Sequence, residues 1–126
     1  MSKYTKTKKL RMAIYKRFST DRQNEMSNED QSAVCHRSLD PELMEIVAEF
    51  EDRAISGASM INRPGIKYML AAAARHEFDG VLVVSTDRLG RDEEDRANIR
   101  KRLTFQGIKI FTPAGEVSAP GRDDSR

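Results

Sequence analysis

Arginine and serine recur in this chain at spacings that suit one kind of chemistry. Arg17 and Ser19 are two apart at the end of the run Arg11-Met12-Ala13-Ile14-Tyr15-Lys16-Arg17. If that segment stays extended as far as Ser19, period-two geometry puts both side chains on one side. Arg88 and Arg91 are three apart around Gly90, directly after Asp87, a spacing that lets both point to one spot from a turn or a first helical turn. Guanidiniums grouped around a hydroxyl suit a tetrahedral anion better than a carbonyl. The guanidinium fork matches phosphate oxygens and its charge cannot be titrated away. One such group ~4 Å from a phosphate contributes about 4 kcal/mol at an effective dielectric of about 20, before desolvation. Several could stabilise a pentacoordinate phosphoryl transition state without a metal. Taken singly these residues have plainer readings: Arg-x-Ser is common by chance, Ser19 would cap a turn, Asp87 would pair with a cation and Asp92 would cap a helix. The weight rests on two arginine-bearing loops meeting at one edge.

Other chemistries find little in the chain. His36, His76 and Cys35 are its only histidines and cysteine, and they lack metal-ligand spacing. Cys35 and His36 are adjacent and face different ways on a helix, and both histidines read as surface or helix-end residues. Gly-x-Ser-x-Gly, the P-loop and Gly-x-Gly-x-x-Gly do not occur, so a Ser-His-Asp hydrolase and nucleotide sites of those types have no support. No cofactor and no metal are expected.

The elements that must position the arginines can be read from periodicity. Residues 11–17 read as a first strand. Ser27, with Asp30 three positions later, makes an acidic variant of the capping box before a helix to about residue 38. Residues 43–50 fit both periods, but the acids between apolar residues over 46–50 favour a strand. A loop carrying Ser56-Gly57 follows, and Pro64 opens a helix to about residue 76 with Ile66, Met69, Leu70 and Ala73 on one face. Residues 80–85 are a continuous apolar run, the mark of a strand buried on both faces in a parallel sheet. Asp92 caps a third helix, Glu93, Glu94 and Asp95 favour its positive end, Gly107 terminates it, and residues 108–112 form the last strand. The chain from Pro113 reads as loop. Strands alternating with helices imply an α/β fold, a three-layer sandwich with a mainly parallel central sheet of about four to five strands. Ligands of such sheets sit beyond the carboxyl ends of the strands. That is where both arginine loops fall.

A length of 126 residues suits one domain: a basic tail over 1–10, a folded unit over 11–115 and a flexible tail over 116–126. The net charge of +2 conceals segregation. Residues 1–17 carry seven basic side chains and no acid, 20–52 carry ten acids against two arginines, and 53–126 carry thirteen basic against ten acidic. Such blocks imply a directed surface field, so near-neutrality does not exclude a nucleic-acid partner. No apolar run has the length of a membrane span and no signal region follows the basic start. A soluble, cytoplasmic protein is expected.

The chain resembles the resolvase/invertase family of serine recombinases. The resemblance runs from about Arg11 to Gly115 in five blocks: Tyr15-Lys16-Arg17-Phe18-Ser19-Thr20-Asp21-Arg22-Gln23 with Gln31 after it, Asp52-Arg53-Ala54-Ile55-Ser56-Gly57, Arg63-Pro64-Gly65, Phe78-Asp79, and Asp87-Arg88-Leu89-Gly90-Arg91-Asp92. Their style is closer to the large serine recombinases than to the small resolvases. The resemblance implies a site-specific DNA recombinase whose serine attacks a DNA phosphodiester, leaving a 5′-phosphoserine link and a free 3′ hydroxyl. On this mapping Ser19 is the nucleophile, and Arg17, Arg63, Arg88 and Arg91 hold the scissile phosphate. Gln31 and Asp52 support the site, Asp87 orients an arginine or exchanges a proton with the leaving oxygen, and Arg22 has a lesser part. The implied partners are double-stranded DNA and, in the full-length proteins, further copies in a dimer or tetramer. Family members continue into a long dimer helix and a DNA-binding domain, neither of which these residues contain. A rival expectation is therefore an inert fragment of the same fold that acts through protein contacts.

Overall fold

The computed structural model describes residues 9–19, 26–54, 64–90 and 92–117, and of Ser19 and Ala54 the backbone alone. In chain order these form β1 (Leu10–Ser19), α1 (Asn28–Ser38), β2 (Met44–Ala54), α2 (Pro64–Ala74), β3 (Gly80–Leu82), a 3-10 turn (Thr86–Leu89), α3 (Glu93–Phe105), β4 (Lys109–Thr112) and β5 (Gly115–Glu116). The sheet order is β2-β1-β3-β4-β5. All pairings are parallel except the last, β4 with β5.

Residue types on β1 explain its central place. Met12, Ala13, Ile14 and Tyr15 are all fully buried, so both faces need cover. Met12 and Ile14 pack with Cys35 of α1 and Leu82, while Ala13 and Tyr15 pack with Ile66 and Met69 of α2 and Ile99 and Leu103 of α3. One helix lies on one face and two on the other. Crossover handedness accounts for this, because the β1 to β2 connection moves one way along the sheet and the next two move the other way, so crossovers of one hand land on opposite faces.

Helix ends follow local chemistry. Ser27 accepts a hydrogen bond from the Asp30 amide at 3.1 Å, and Asp92 accepts one from the Asp95 amide at 2.8 Å, each satisfying an otherwise unpaired first-turn donor. Gly107 has φ 79°. Its amide bonds Thr104 O, and Ile108 N–H bonds Leu103 O, both at 2.9 Å, which is the Schellman pattern.

Four differences from the sequence expectation have physical causes. β2 runs to Ala54 because β1 itself continues to Ser19, with Arg17 opposite Asp52. β3 covers only 80–82: its pairing with β1 stops at Ile14, and the Val83 amide makes one further bond, to Phe111 O at 3.0 Å. β4 starts one residue late because the Ile108 amide is used in the helix cap. The stretch after Pro113 is not all loop. Residues 115–116 fold back as β5, with the Val117 amide on Ile110 O at 2.7 Å.

Candidate active site

With β2 on one side of β1 and β3 on the other, the connections diverge at β1/β3, the point where open sheets hold their ligands. β1 ends there with Arg17 and the Ser19 backbone, and the 3-10 turn after β3 brings Asp87 and Arg88. The two arginines exchange hydrogen bonds: Arg17 Nε donates to Arg88 O at 3.4 Å, and Arg88 Nη1 donates to Arg17 O at 3.2 Å. Arg17 Nη2 also donates to Asp87 O at 3.3 Å. The strand end and the turn are thus braced from both sides, and both guanidiniums are held at the end of β1. Arg17 is only 7% exposed, so its charge acts in a partly desolvated setting where it is worth more than in water. Arg22, Arg63 and Arg91 lie outside the described residues, and Pro64, next after Arg63, begins α2.

Gln31 and Asp52 hold the scaffold. Beyond Ile14 the amide of Gln31 takes the place of a neighbouring strand: its Oε1 accepts from Arg17 N–H at 3.3 Å, and its Nε2 donates to Arg17 O at 2.9 Å. Nε2 also reaches Met26 O at 2.9 Å, tying the end of β1 to the chain that enters α1. The buried Asp52 carboxylate accepts from Tyr15 Oη at 2.6 Å, Gly65 N–H at 2.7 Å and Ile66 N–H at 2.9 Å. It thereby anchors the N-terminus of α2, where the helix dipole favours a negative charge.

Asn28, which sequence reasoning passed over, is 1% exposed and bridges Asp52 O and Gln31, both at 3.4 Å. Its polarity offered no signal at a helix start, where asparagine is ordinary. Ser85 was read only as the end of a strand, yet its hydroxyl donates to Asp87 Oδ1. Burial raises the Asp87 pKa, but the Ser85 bond and the charges of Arg88 and Arg17 outweigh it and leave the carboxyl below its ordinary value. Asp87 is therefore ionised at neutral pH. Cys35 lies apart from the site, its thiol pushed up to about 11 by burial and by Glu49, and it is inert as a nucleophile.

A mainly parallel α/β domain that gathers arginines and a serine-bearing strand end at its switch point is the architecture of a serine recombinase catalytic domain. The chain belongs to the resolvase N-terminal domain family, whose model matches residues 12–125. Among solved structures it is similar to the N-terminal catalytic domain of TP901-1 integrase, with TM-score 0.69 and 25% identity over 82% of this chain and 77% of that one. A resolvase family site-specific recombinase from Streptococcus pneumoniae matches with TM-score 0.72 and 21% identity over 91% and 79%. The C-terminal catalytic domain of ISC1926 TnpA, an IS607-like serine recombinase, matches with TM-score 0.66 and 23% identity over 82% and 70%. A comparison with curated proteins gives no match. The chain is thus a catalytic domain of site-specific DNA recombination. Transfer of a DNA phosphoryl group to serine is the general property of its family. Among the described residues no helix is long and apolar enough to cross a membrane.

Proposed function

We propose that Ser19 is the nucleophile of this recombinase and that Arg17 and Arg88, with Arg63 and Arg91, hold the scissile phosphate. The carrying observation is the reciprocal bonding of Arg17 and Arg88, which fixes two guanidiniums at the end of the strand that bears Ser19. In the step, the Ser19 Oγ–P bond forms as the P–O3′ bond breaks. The serine proton is given up and the 3′ oxygen takes one. Bond energy is conserved in the phosphoserine, so reversal needs no ATP. Charge building on the phosphoryl oxygens is met by guanidiniums already in place. Asp87, ionised beside both arginines, orients them and can accept a proton. Arg22 has a lesser, outer part.

The catalytic unit of this reading runs from Leu10, where β1 opens, to Val117, whose amide closes on Ile110 O, two residues past the bound at 115 expected from sequence. Strand exchange joins ends from two duplexes, so the unit works within a dimer or tetramer. Its DNA substrate puts it in the cytoplasm.

The test is to mix the chain with supercoiled plasmid carrying the DNA that flanks its own gene, quench with detergent and analyse protein bound to DNA. Wild-type protein should give an adduct whose phosphorylated peptide contains Ser19, also in the presence of EDTA, and Ser19→Ala should give none. A normal adduct yield from Ser19→Ala overturns the assignment.

A further inference from the structure

The turn after β3 contains a side chain that neither the motif nor the family mapping uses. Ser85 has φ −160° and ψ 155°, an extended residue that opens the 3-10 turn. Val83 packs with the α2/α3 side of the core and Val84 with the α1 side. The Ser85 backbone carbonyl accepts from Arg88 N–H at 3.1 Å and its hydroxyl donates to Asp87 Oδ1. One residue therefore holds both the peptide of Arg88 and the carboxylate of Asp87, while Arg17 holds the carbonyls of the same two residues.

We propose that Ser85 is a positioning residue for phosphoryl transfer, its hydroxyl fixing one oxygen of the Asp87 carboxylate so that this group faces the reaction centre in one orientation. The proposal rests on the reading of Asp87 as part of the reaction centre. A carboxylate two residues along a tight turn has free rotation about its side-chain bonds unless something stops it, and a misaligned acceptor loses much of its catalytic value. Among the described residues, the hydroxyl of Ser85 and the charges of Arg88 from its own turn and Arg17 from β1 act on Asp87. The two cations favour ionisation but do not select an orientation. The hydroxyl bond does, and its loss leaves burial acting against the charge with less opposing it.

The test compares Ser85→Ala and Ser85→Thr with the wild-type chain. Carboxyl carbon resonances of aspartate-labelled protein are followed against pH, with the Asp87 signal identified by its absence in Asp87→Asn. Adduct formation on the plasmid described above is measured across the same pH range. In Ser85→Ala the Asp87 midpoint should move up, and the acid limb of the adduct-forming rate should move up with it. Ser85→Thr, which keeps the hydroxyl, should restore both. An Asp87 midpoint unchanged by Ser85→Ala overturns the proposal. A midpoint that moves while the rate profile stays fixed overturns the role of Ser85 in the reaction. An Asp87→Asn variant that forms adduct at the wild-type rate at every pH removes instead the underlying reading of Asp87.

Discussion

Asp52 is a side chain whose neighbours say what it can tolerate. Its carboxylate accepts from one hydroxyl and two helix-end amides, so all three of these neighbours are donors. Asp52→Asn turns one of its oxygens into an amide nitrogen facing donors and removes the charge at the start of α2. A loss of about 3 kcal/mol is expected, read as a lower urea midpoint, because a buried hydrogen bond to a charged group is worth about 1.5–3 kcal/mol and the dipole adds less than that. Tyr15→Phe removes a single donor and should cost about half as much. A larger loss from Tyr15→Phe than from Asp52→Asn would show that the ring, not the carboxylate, organises this corner. The sequence already marked Asp52, Gln31 and Arg17, because their types and order fit a known pattern. It could not say that Gln31 replaces a missing strand neighbour of Arg17, since that depends on where β3 stops. Nor did it reveal Asn28 or Ser85, whose partners are set by the fold.

At the scale of elements, two helices end in the same hydrogen-bond pattern with different residues at the left-handed position. After α3 it is Gly107; after α2 it is His76, with φ 59°, where His76 N–H bonds Ala73 O at 2.9 Å and Glu77 N–H bonds Ala72 O at 3.1 Å. A left-handed residue with a Cβ costs about 1 kcal/mol or more relative to glycine. His76→Gly should therefore stabilise the chain by up to about 1 kcal/mol, and Gly107→Ala should destabilise it by a similar amount, both measurable as opposite shifts in thermal midpoint. Same-sign shifts would contradict the cap argument. Gly65 is glycine for a different reason. A Cβ there would stand 2.1 Å from the Glu51 carbonyl oxygen, where backbone meets backbone and no side chain can yield. Gly65→Ala should cost more than about 3 kcal/mol and detach α2 from β2. Helix ends were legible in sequence at Ser27, Asp92 and Gly107, because capping is local. The stop of β3 at Leu82 and the strand at 115–116 were not, because a strand's length is decided by its neighbours.

Over the whole molecule, the segregated charge found in the sequence becomes a set of connections between layers. Glu49 of β2 accepts from Lys16 of β1 at 2.8 Å and from Ser32 of α1 at 3.0 Å, and it meets His36 of α1 at 2.9 Å. The acidic block thus joins α1 to the sheet edge, and α1 in turn carries Gln31 and Asn28 to the end of β1. Burial alone would raise the Glu49 pKa, but the bonds from Lys16, His36 and Ser32 hold it at about 2, against 4.5 for the free group. A depressed carboxyl stabilises the fold fully above its unfolded value and loses that contribution as pH falls through its folded one. The window is therefore from about pH 4.5 down to about 2. Because Glu49 is a third exposed, solvent screening reduces the contribution to about 1 kcal/mol. Urea midpoints of wild type should fall across that window more steeply than those of Glu49→Gln, and the two curves should converge at its acid end. Addition of 1 M salt should shrink the difference, since a partly exposed ion pair is screened at a Debye length of about 3 Å. Parallel curves through the window would mean that α1 is held by its apolar contact at Cys35 and the bonds of Gln31 and Asn28, and that the charge blocks serve only the outer surface.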